Sequence, residues 1–139
     1  NKKLEKSTLA KRVSLNELLK KSDIISVHLP LNENTKQILN EKKLSLIKPT
    51  SILVNTSRGE VIDEKALIKL LKTKRIFATG LDVYENEPRI NPQLLSLKNV
   101  VLLPHIGSAT VEARNAMAEL AAKNVIAVLS GKKPLTPVN

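Results

Sequence analysis

The sequence predicts an α/β protein built on a doubly wound parallel sheet. Four short segments rich in Val, Ile and Leu recur along the 139 residues, and segments with the apolar spacing of amphipathic helices separate them. This alternation is typical of parallel sheets whose strands are joined by right-handed helical crossovers. The apolar content of 42% suits such a layered protein.

The predicted strands are continuous apolar runs, the type that a parallel sheet buries on both faces. They are DIISVHLP (residues 23–30), SILVNTSRG (51–59), RIFATGLDV (75–83) and NVVLLPH (99–105). We expect ligands to bind beyond the carboxyl ends of these strands, because open α/β sheets bind their ligands there.

Four helices are predicted, over residues 14–22, 41–47, 63–73 and 109–130. The first opens with Ser14 and has Glu17 three residues later, which is the pattern of a capping box. Asp63 is a favourable N-cap for the third helix. Gly131 is placed to end the fourth, since glycine readily adopts the left-handed conformation that closes many helices.

The composition argues against several classes of site and partner. The chain has no cysteine, which excludes disulfides and thiolate metal sites, and we predict no metal site. It begins without the apolar core of a signal peptide and has no run of membrane-spanning length, so we expect a cytoplasmic protein with no membrane partner.

The net charge of +10 raises the question of nucleic-acid binding. However, the basic residues are spread along the chain, and Phe77 and Tyr84 are the only aromatic residues. Two aromatic side chains provide no platform for stacking bases. We therefore expect a solvated basic surface and no nucleic-acid partner.

The residues that follow each predicted strand are polar or reactive. They are His28 and Pro30, then Thr56, Ser57 and Arg58, then Asp82 to Glu87, and finally His105 to Ser108. Among them, His105 suits proton transfer near neutral pH, and Glu87 could hold the imidazole in one tautomer. Arg58 could grip a carboxylate and polarise a neighbouring carbonyl. Together they fit the reduction of a 2-oxo acid by a nicotinamide.

Spacing alone leaves structural roles open for all three residues. A histidine after a strand is often structural, an arginine in a polar turn can cap a helix, and Glu87 before a proline can be a surface-turn residue.

Three stretches carry a resemblance to a known family. VNTSRGEVID, GLDVYENEP and NVVLLPHIGSAT resemble the signature stretches of the D-isomer-specific 2-hydroxyacid dehydrogenases. The segment LPHIGSATVEARNAMAELAAKN and the ending PLTPVN are similar to the glyoxylate/hydroxypyruvate reductase branch of that family. The resemblance extends from about Val13 onward.

The resemblance implies roles for the residues at the strand ends. Arg58 would bind the substrate carboxylate and carbonyl, His105 would be the acid/base that contacts substrate, and Glu87 would be its partner. The implied cofactor-binding residues are Leu29, Pro30, Thr35, Thr56, Ser57, Arg58, Asp82, His105 and Gly107. The cofactor would be NADP or NAD, with a slight preference for NADP suggested by the basic start NKK and by the branch resembled. The resemblance also implies a small 2-oxo or 2-hydroxy acid substrate, such as glyoxylate or hydroxypyruvate, and a homodimer.

The sequence departs from the family in one large feature. It contains no G-x-G-x-x-G phosphate loop, because its four glycines are isolated. The resemblance therefore implies the second half of a Rossmann-like NAD(P)-binding domain over residues 1–130, with the N-terminal half absent. Residues 131–139 would form an extended tail that packs on a missing substrate domain.

The missing N-terminal half bears on function, and a second interpretation of the function stays open. We expect the isolated chain to have little or no dehydrogenase activity. The alternative is a non-catalytic member of the same fold, such as a corepressor-like protein that binds nucleotides or protein partners. Substitution of His105 separates the two, since only an enzyme would lose turnover.

Overall fold

The computed structural model describes residues 5, 7, 8 and 10–138. The chain divides into two compact units, Asn1–Pro104 and His105–Asn139. The strands of the described residues all belong to the first unit, and the longest of their helices belongs to the second.

The strands of the first unit form a four-stranded parallel sheet in the order β1-β2-β3-β4. They are β1 Ile24–Val27, β2 Ile52–Asn55, β3 Ala78–Leu81 and β4 Val100–Leu102. The predicted α/β class with a parallel sheet is confirmed. At one end of the sheet the register pairs Val27 with Asn55, Asn55 with Leu81, and Leu81 with Leu102. The segments that follow the strands therefore all leave the sheet at this edge.

The helices with defined bounds are α1 Leu15–Lys21, α2 Glu41–Leu44, α3 Glu64–Lys72 and α4 Pro92–Leu95 in the first unit, and α5 Val111–Leu129 in the second. The sequence did not predict α4 or the 3₁₀ turn over Gly59–Val61. Both are about one turn long, too short to show helical periodicity. In the described part of the chain, no helix has the length and apolar character needed to cross a membrane.

The predicted N-caps form. The backbone N–H of Glu17 donates to Ser14 Oγ at 3.2 Å, and the N–H of Ala66 donates to Asp63 Oδ1 at 3.0 Å. The Glu17 carboxylate pairs with Lys21 Nζ at 2.8 Å. Each cap satisfies one of the backbone donors left open at the start of a helix.

The core of the first unit covers one face of β1. Ile25 of β1 and Leu53 of β2 are buried in one cluster with Leu19 of α1 and Leu67 of α3. Ile24, by contrast, is 68% exposed, because successive side chains of a strand point to opposite faces. Burial also alternates between full and partial along β2 and β3. The prediction that the strands are buried on both faces is therefore wrong, most clearly for β1 and for β4, where Val101 is 63% exposed.

The long helix of the second unit ends as the sequence predicts. Gly131 has a φ of +73°, and its N–H donates to Val128 O at 3.0 Å. The N–H of Lys132 donates to Ala127 O at 2.9 Å. These two bonds form a Schellman motif, which satisfies carbonyls at the end of α5.

The C-terminal tail contacts its own helix. Asn124 Nδ2 donates to Thr136 Oγ1 at 3.0 Å, and the N–H of Thr136 donates to Asn124 Oδ1 at 3.1 Å. This reciprocal pair fixes the tail at Thr136. Its packing on a substrate domain stays a prediction.

The backbone at Gly59 approaches another segment very closely. A Cβ atom at Gly59 would lie 1.9 Å from the carbonyl carbon and 2.1 Å from the carbonyl oxygen of Tyr84, and 2.5 Å from the Glu85 nitrogen. Such distances leave no room for any side chain at this position. The segment after β2 is thereby in contact with the segment after β3.

We predict that Gly59→Ala destabilises the chain far more than Gly80→Ala. The new methyl group would overlap backbone atoms, so we expect Gly59→Ala to lower the free energy of unfolding by about 3 kcal/mol. Gly80 is the matched control, because its Cβ would lie 3.9 Å from Val54 Cγ2, an ordinary contact, and we expect a change within about 1 kcal/mol. Urea unfolding measures both. Equal losses in the two variants would contradict the prediction.

Candidate functional site

An open cleft of about 610 Å³ lies beyond the carboxyl ends of β1 and β2. Its lining comes from the two segments that follow these strands, and consists of His28, Leu29, Pro30, Leu31, Thr56, Ser57 and Arg58. Five of the predicted cofactor-binding residues thus lie together. One wall is formed by three apolar residues together with His28, and the other carries hydroxyl groups and a guanidinium group.

Asn55 shapes the turn that carries the polar wall. It is the last residue of β2, and its side chain is buried. Asn55 Oδ1 accepts from the N–H of Ser57 at 3.0 Å and from Ser57 Oγ at 2.9 Å, and Asn55 Nδ2 donates to Arg58 O at 2.9 Å. The guanidinium of Arg58 is exposed and donates to Ser57 O at 2.6 Å. Asn55 therefore fixes the backbone from which Arg58 extends.

Thr35 shapes the loop that carries the apolar wall. Its hydroxyl donates to Pro30 O at 2.6 Å and accepts from the N–H of Asn32 at 2.9 Å. Thr35 does not line the cleft. Its contribution in this unit is to hold the loop that presents Pro30.

The segment after β3 carries Asp82 and Glu87. Asp82 is buried, and its N–H donates to Asn55 O at 3.0 Å, which ties this segment to the end of β2. Glu87 is exposed, and its Oε1 accepts from the N–H of Tyr84 at 3.0 Å. The turn over residues 84–87 therefore positions the carboxylate of Glu87 through the backbone N–H of Tyr84.

Tyr84 lies at the centre of this segment. It is buried, and its single hydroxyl hydrogen is shared between two acceptors, Leu103 O at 2.7 Å and Leu81 O at 3.2 Å. Burial raises the pKa of Tyr84 above its ordinary value of 10.0, and the negative charge of Asp82 raises the pKa further. The phenol therefore remains protonated and able to donate at neutral pH.

His105 is the first residue of the second unit, whereas Arg58 and Glu87 belong to the first. His105 is exposed and has a φ of +55°, which lies in the left-handed region. Residues other than glycine are uncommon there, and such conformations occur disproportionately at functional sites. Gly107 is exposed two residues later. Among the described residues, no cluster of three or more His, Asp or Glu side chains could hold a metal ion.

Sequence reasoning missed Asn55, Glu64 and Tyr84. The available signal for Asn55 was a polar residue at the end of an apolar strand. Glu64 and Tyr84 gave no such signal, because each acts on residues that are distant in sequence. Residues 1–3, on which part of the preference for NADP rests, lie outside the described residues.

Comparison with known proteins gives consistent matches. The family model described as "D-isomer specific 2-hydroxyacid dehydrogenase, NAD binding domain" matches residues 1–107. The glyoxylate reductase of Thermococcus litoralis is 56% identical over 130 residues, which are 94% of this chain and 39% of that protein. The chain thus spans about 40% of the length of the curated relatives it matches.

Solved structures agree with this result. A glyoxylate reductase from Paecilomyes thermophila superposes with a TM-score of 0.93 at 43% identity, covering 99% of this chain and 42% of that one. An NADPH-dependent glyoxylate/hydroxypyruvate reductase from Sinorhizobium meliloti, solved with NADP and malonate, superposes with a TM-score of 0.87 at 41% identity, covering 90% and 39%. The predicted resemblance is confirmed.

We predict that Tyr84 titrates above pH 10.0, its ordinary pKa. Because its folded pKa is raised, the neutral phenol contributes stability that is fully present below pH 10.0 and is lost as the pH rises through the folded pKa. The difference in phenolate absorbance between the protein and Tyr84→Phe isolates this residue during an alkaline titration. Tyr84→Phe keeps the ring, so it should lose less stability than the parent protein over the same alkaline range. A midpoint at or below the ordinary value would contradict the prediction.

Proposed function

The chain belongs to the D-isomer-specific 2-hydroxyacid dehydrogenases, and from this premise we propose that the protein containing it reduces a small 2-oxo acid to the D-2-hydroxy acid. The substrates proposed are glyoxylate or hydroxypyruvate, and the reductant is NADPH or NADH, with a slight preference for NADPH. One observation carries the proposal: the cleft beyond β1 and β2 is lined by five of the residues that the resemblance implies for cofactor binding. Homodimer formation is part of the same proposal.

The chemistry of the cleft fits part of a dinucleotide. Leu29 and Pro30 offer an apolar wall for a ring, and Thr56 and Ser57 offer hydroxyl groups for ribose or phosphate oxygens. Arg58 adds positive charge. Asp82, Thr35 and Gly107 complete the proposed cofactor-binding set. When bound, the nicotinamide supplies the hydride that adds to the carbonyl carbon.

Arg58 is proposed to bind the substrate. Its guanidinium is exposed at the cleft, while its backbone carbonyl accepts a hydrogen bond from the Asn55 side chain. A planar guanidinium binds a carboxylate through two parallel hydrogen bonds and polarises an adjacent carbonyl. Arg58 can therefore orient the acid and withdraw electron density from the carbon that accepts the hydride.

His105 is proposed to be the acid/base. In the reduction it gives a proton to the carbonyl oxygen, which becomes the hydroxyl group, and the imidazole is left neutral. In the reverse direction the neutral imidazole accepts that proton. Glu87 is proposed to stabilise the imidazolium and fix its tautomer, which is the role of a carboxylate beside a catalytic histidine.

In the full-length protein that contains this chain, we predict that His105→Asn lowers kcat for glyoxylate reduction by about 10²- to 10⁴-fold, the usual contribution of a general acid. The KM for glyoxylate should change much less, since Arg58 still binds the carboxylate. Lys98→Gln is the control, because Lys98 is exposed and lies before β4, at the opposite edge of the sheet. Thermal unfolding confirms that both variants are folded. Full turnover by His105→Asn would contradict the enzymatic role and favour a non-catalytic one.

We also predict that the 139-residue chain by itself turns over little or no substrate. These residues include no glycine-rich phosphate loop, so cofactor affinity should be weak. The cleft is also open, and an open site does not exclude water from the reacting atoms. A steady-state assay with NADPH and glyoxylate tests this, with the Thermococcus litoralis glyoxylate reductase as positive control. Turnover comparable with that enzyme would refute the prediction.

A further inference from the structure

We propose that Glu64 is a positioning residue, whose buried carboxylate anchors the turn over residues 84–87 and thereby places Glu87 for the reaction. This inference rests on the proposed function, in which Glu87 assists His105. It assigns a role to a buried acidic residue that has no part in the chemistry described above.

The burial of Glu64 is unusual for its residue type. Its side chain is only 7% exposed, whereas glutamate is almost never buried unless it is paired. Glu64 is the first residue of α3, where a carboxylate interacts favourably with the helix dipole. That interaction does not require burial, and Asp63 already caps the helix. The buried position therefore needs another cause.

The carboxylate binds a segment distant in sequence. Glu64 Oε2 accepts from the backbone N–H of Glu85 at 3.3 Å. The preceding N–H, that of Tyr84, donates to Glu87 Oε1 at 3.0 Å. Two consecutive backbone N–H groups thus bind two carboxylates. That of Glu85 binds Glu64 on α3, and that of Tyr84 binds Glu87 within the turn.

Gly59 supports the same peptide from another side. Its Cα lies against the carbonyl group of Tyr84 and the nitrogen of Glu85, where no side chain would fit. Because Gly59 directly follows Arg58, the two segments that carry Arg58 and Glu87 meet at this peptide. Loss of the Glu64 anchor would allow the turn to shift while Gly59 and Arg58 stay in place.

Several charged groups lie around the turn. The segment after β3 carries Asp82, Glu85 and Glu87. Glu64 lies on α3, and Arg58 lies on the segment that includes Gly59. Asp82, Glu87 and Glu64 are close enough to Tyr84 for their charges to raise its pKa. Within this group, the Glu64 carboxylate accepts the hydrogen bond from the Glu85 N–H and so ties the turn to α3.

Two substitutions separate anchoring from charge and from packing. Glu64→Met fills a similar volume without an acceptor, while Glu64→Gln keeps an acceptor oxygen without charge. Glu60→Gln is the matched control, because this substitution removes the same charge from a residue that lies four positions earlier. Replacing a buried charged group by an apolar one is often neutral or stabilising, so stability alone does not report the anchor.

The experiment takes as its parent protein the full-length protein that contains this chain. It measures kcat and KM for glyoxylate across pH, together with hydrogen exchange of the Glu85 amide. For Glu64→Met we expect kcat to fall about 10-fold, KM to stay within about 2-fold, and the pH at which the reduction rate halves to fall by about one unit. The Glu85 amide should exchange faster. Glu64→Gln should recover most of the loss, and Glu60→Gln should match the parent protein.

An unchanged pH profile and unchanged exchange in Glu64→Met would overturn the proposal. If Glu64→Met does not fold, Glu64→Asp decides in its place, since the shorter side chain withdraws the carboxylate from Glu85. A parent-like profile in Glu64→Asp would then overturn the proposal. If the parent protein itself shows no reductase activity, the proposed function fails separately. The exchange of the Glu85 amide still decides whether Glu64 anchors the turn.

Discussion

The contact between the Gly59 backbone and the Tyr84–Glu85 peptide determines how the segments at the edge of this sheet are arranged. Parallel strands bring their carboxyl ends to one edge, but they do not fix the loops that follow. Here the loop after β2 lies directly on the loop after β3, at a distance that excludes a Cβ atom. The loops cannot move closer together, and the contact places the segment of Arg58 next to the turn that holds Glu87.

Hydrogen bonds from buried side chains also fix the neighbouring segments, at the end of β2 and after β4. Asn55 ties Ser57 and Arg58 to the end of β2, and its carbonyl accepts from Asp82 at the end of β3. Tyr84 joins the same region to Leu103 after β4. Because these groups are buried, an unmade hydrogen bond would be costly, and this favours a single arrangement of the loops. The edge of the sheet is therefore held as one unit from β2 to β4.

The sequence predicts those features that depend on local patterns. Apolar runs located the four strands, and capping chemistry placed Ser14, Asp63 and Gly131 correctly. The error at β1 has a tertiary cause, because an apolar run such as that around Ile24 does not show which of its faces other elements cover. Asn55 and Glu64 were missed for a related reason: each satisfies backbone groups whose positions depend on how the loops pack. Resemblance identified the residues proposed to touch ligand, but it gave no account of what holds them.

The residues proposed for chemistry and those that hold them differ in exposure. Arg58, Glu87 and His105 are exposed, whereas Asn55 and Glu64 are buried. An exposed residue on a loop loses considerable conformational entropy when it is ordered on ligand binding. Hydrogen bonds that already fix the backbone of the loop lower this entropy cost. In the proposed function, the buried polar groups therefore contribute by holding the loops that carry the reacting residues. In a fold where many loops are compatible with the same sheet, such anchors determine whether a set of common residues can act together.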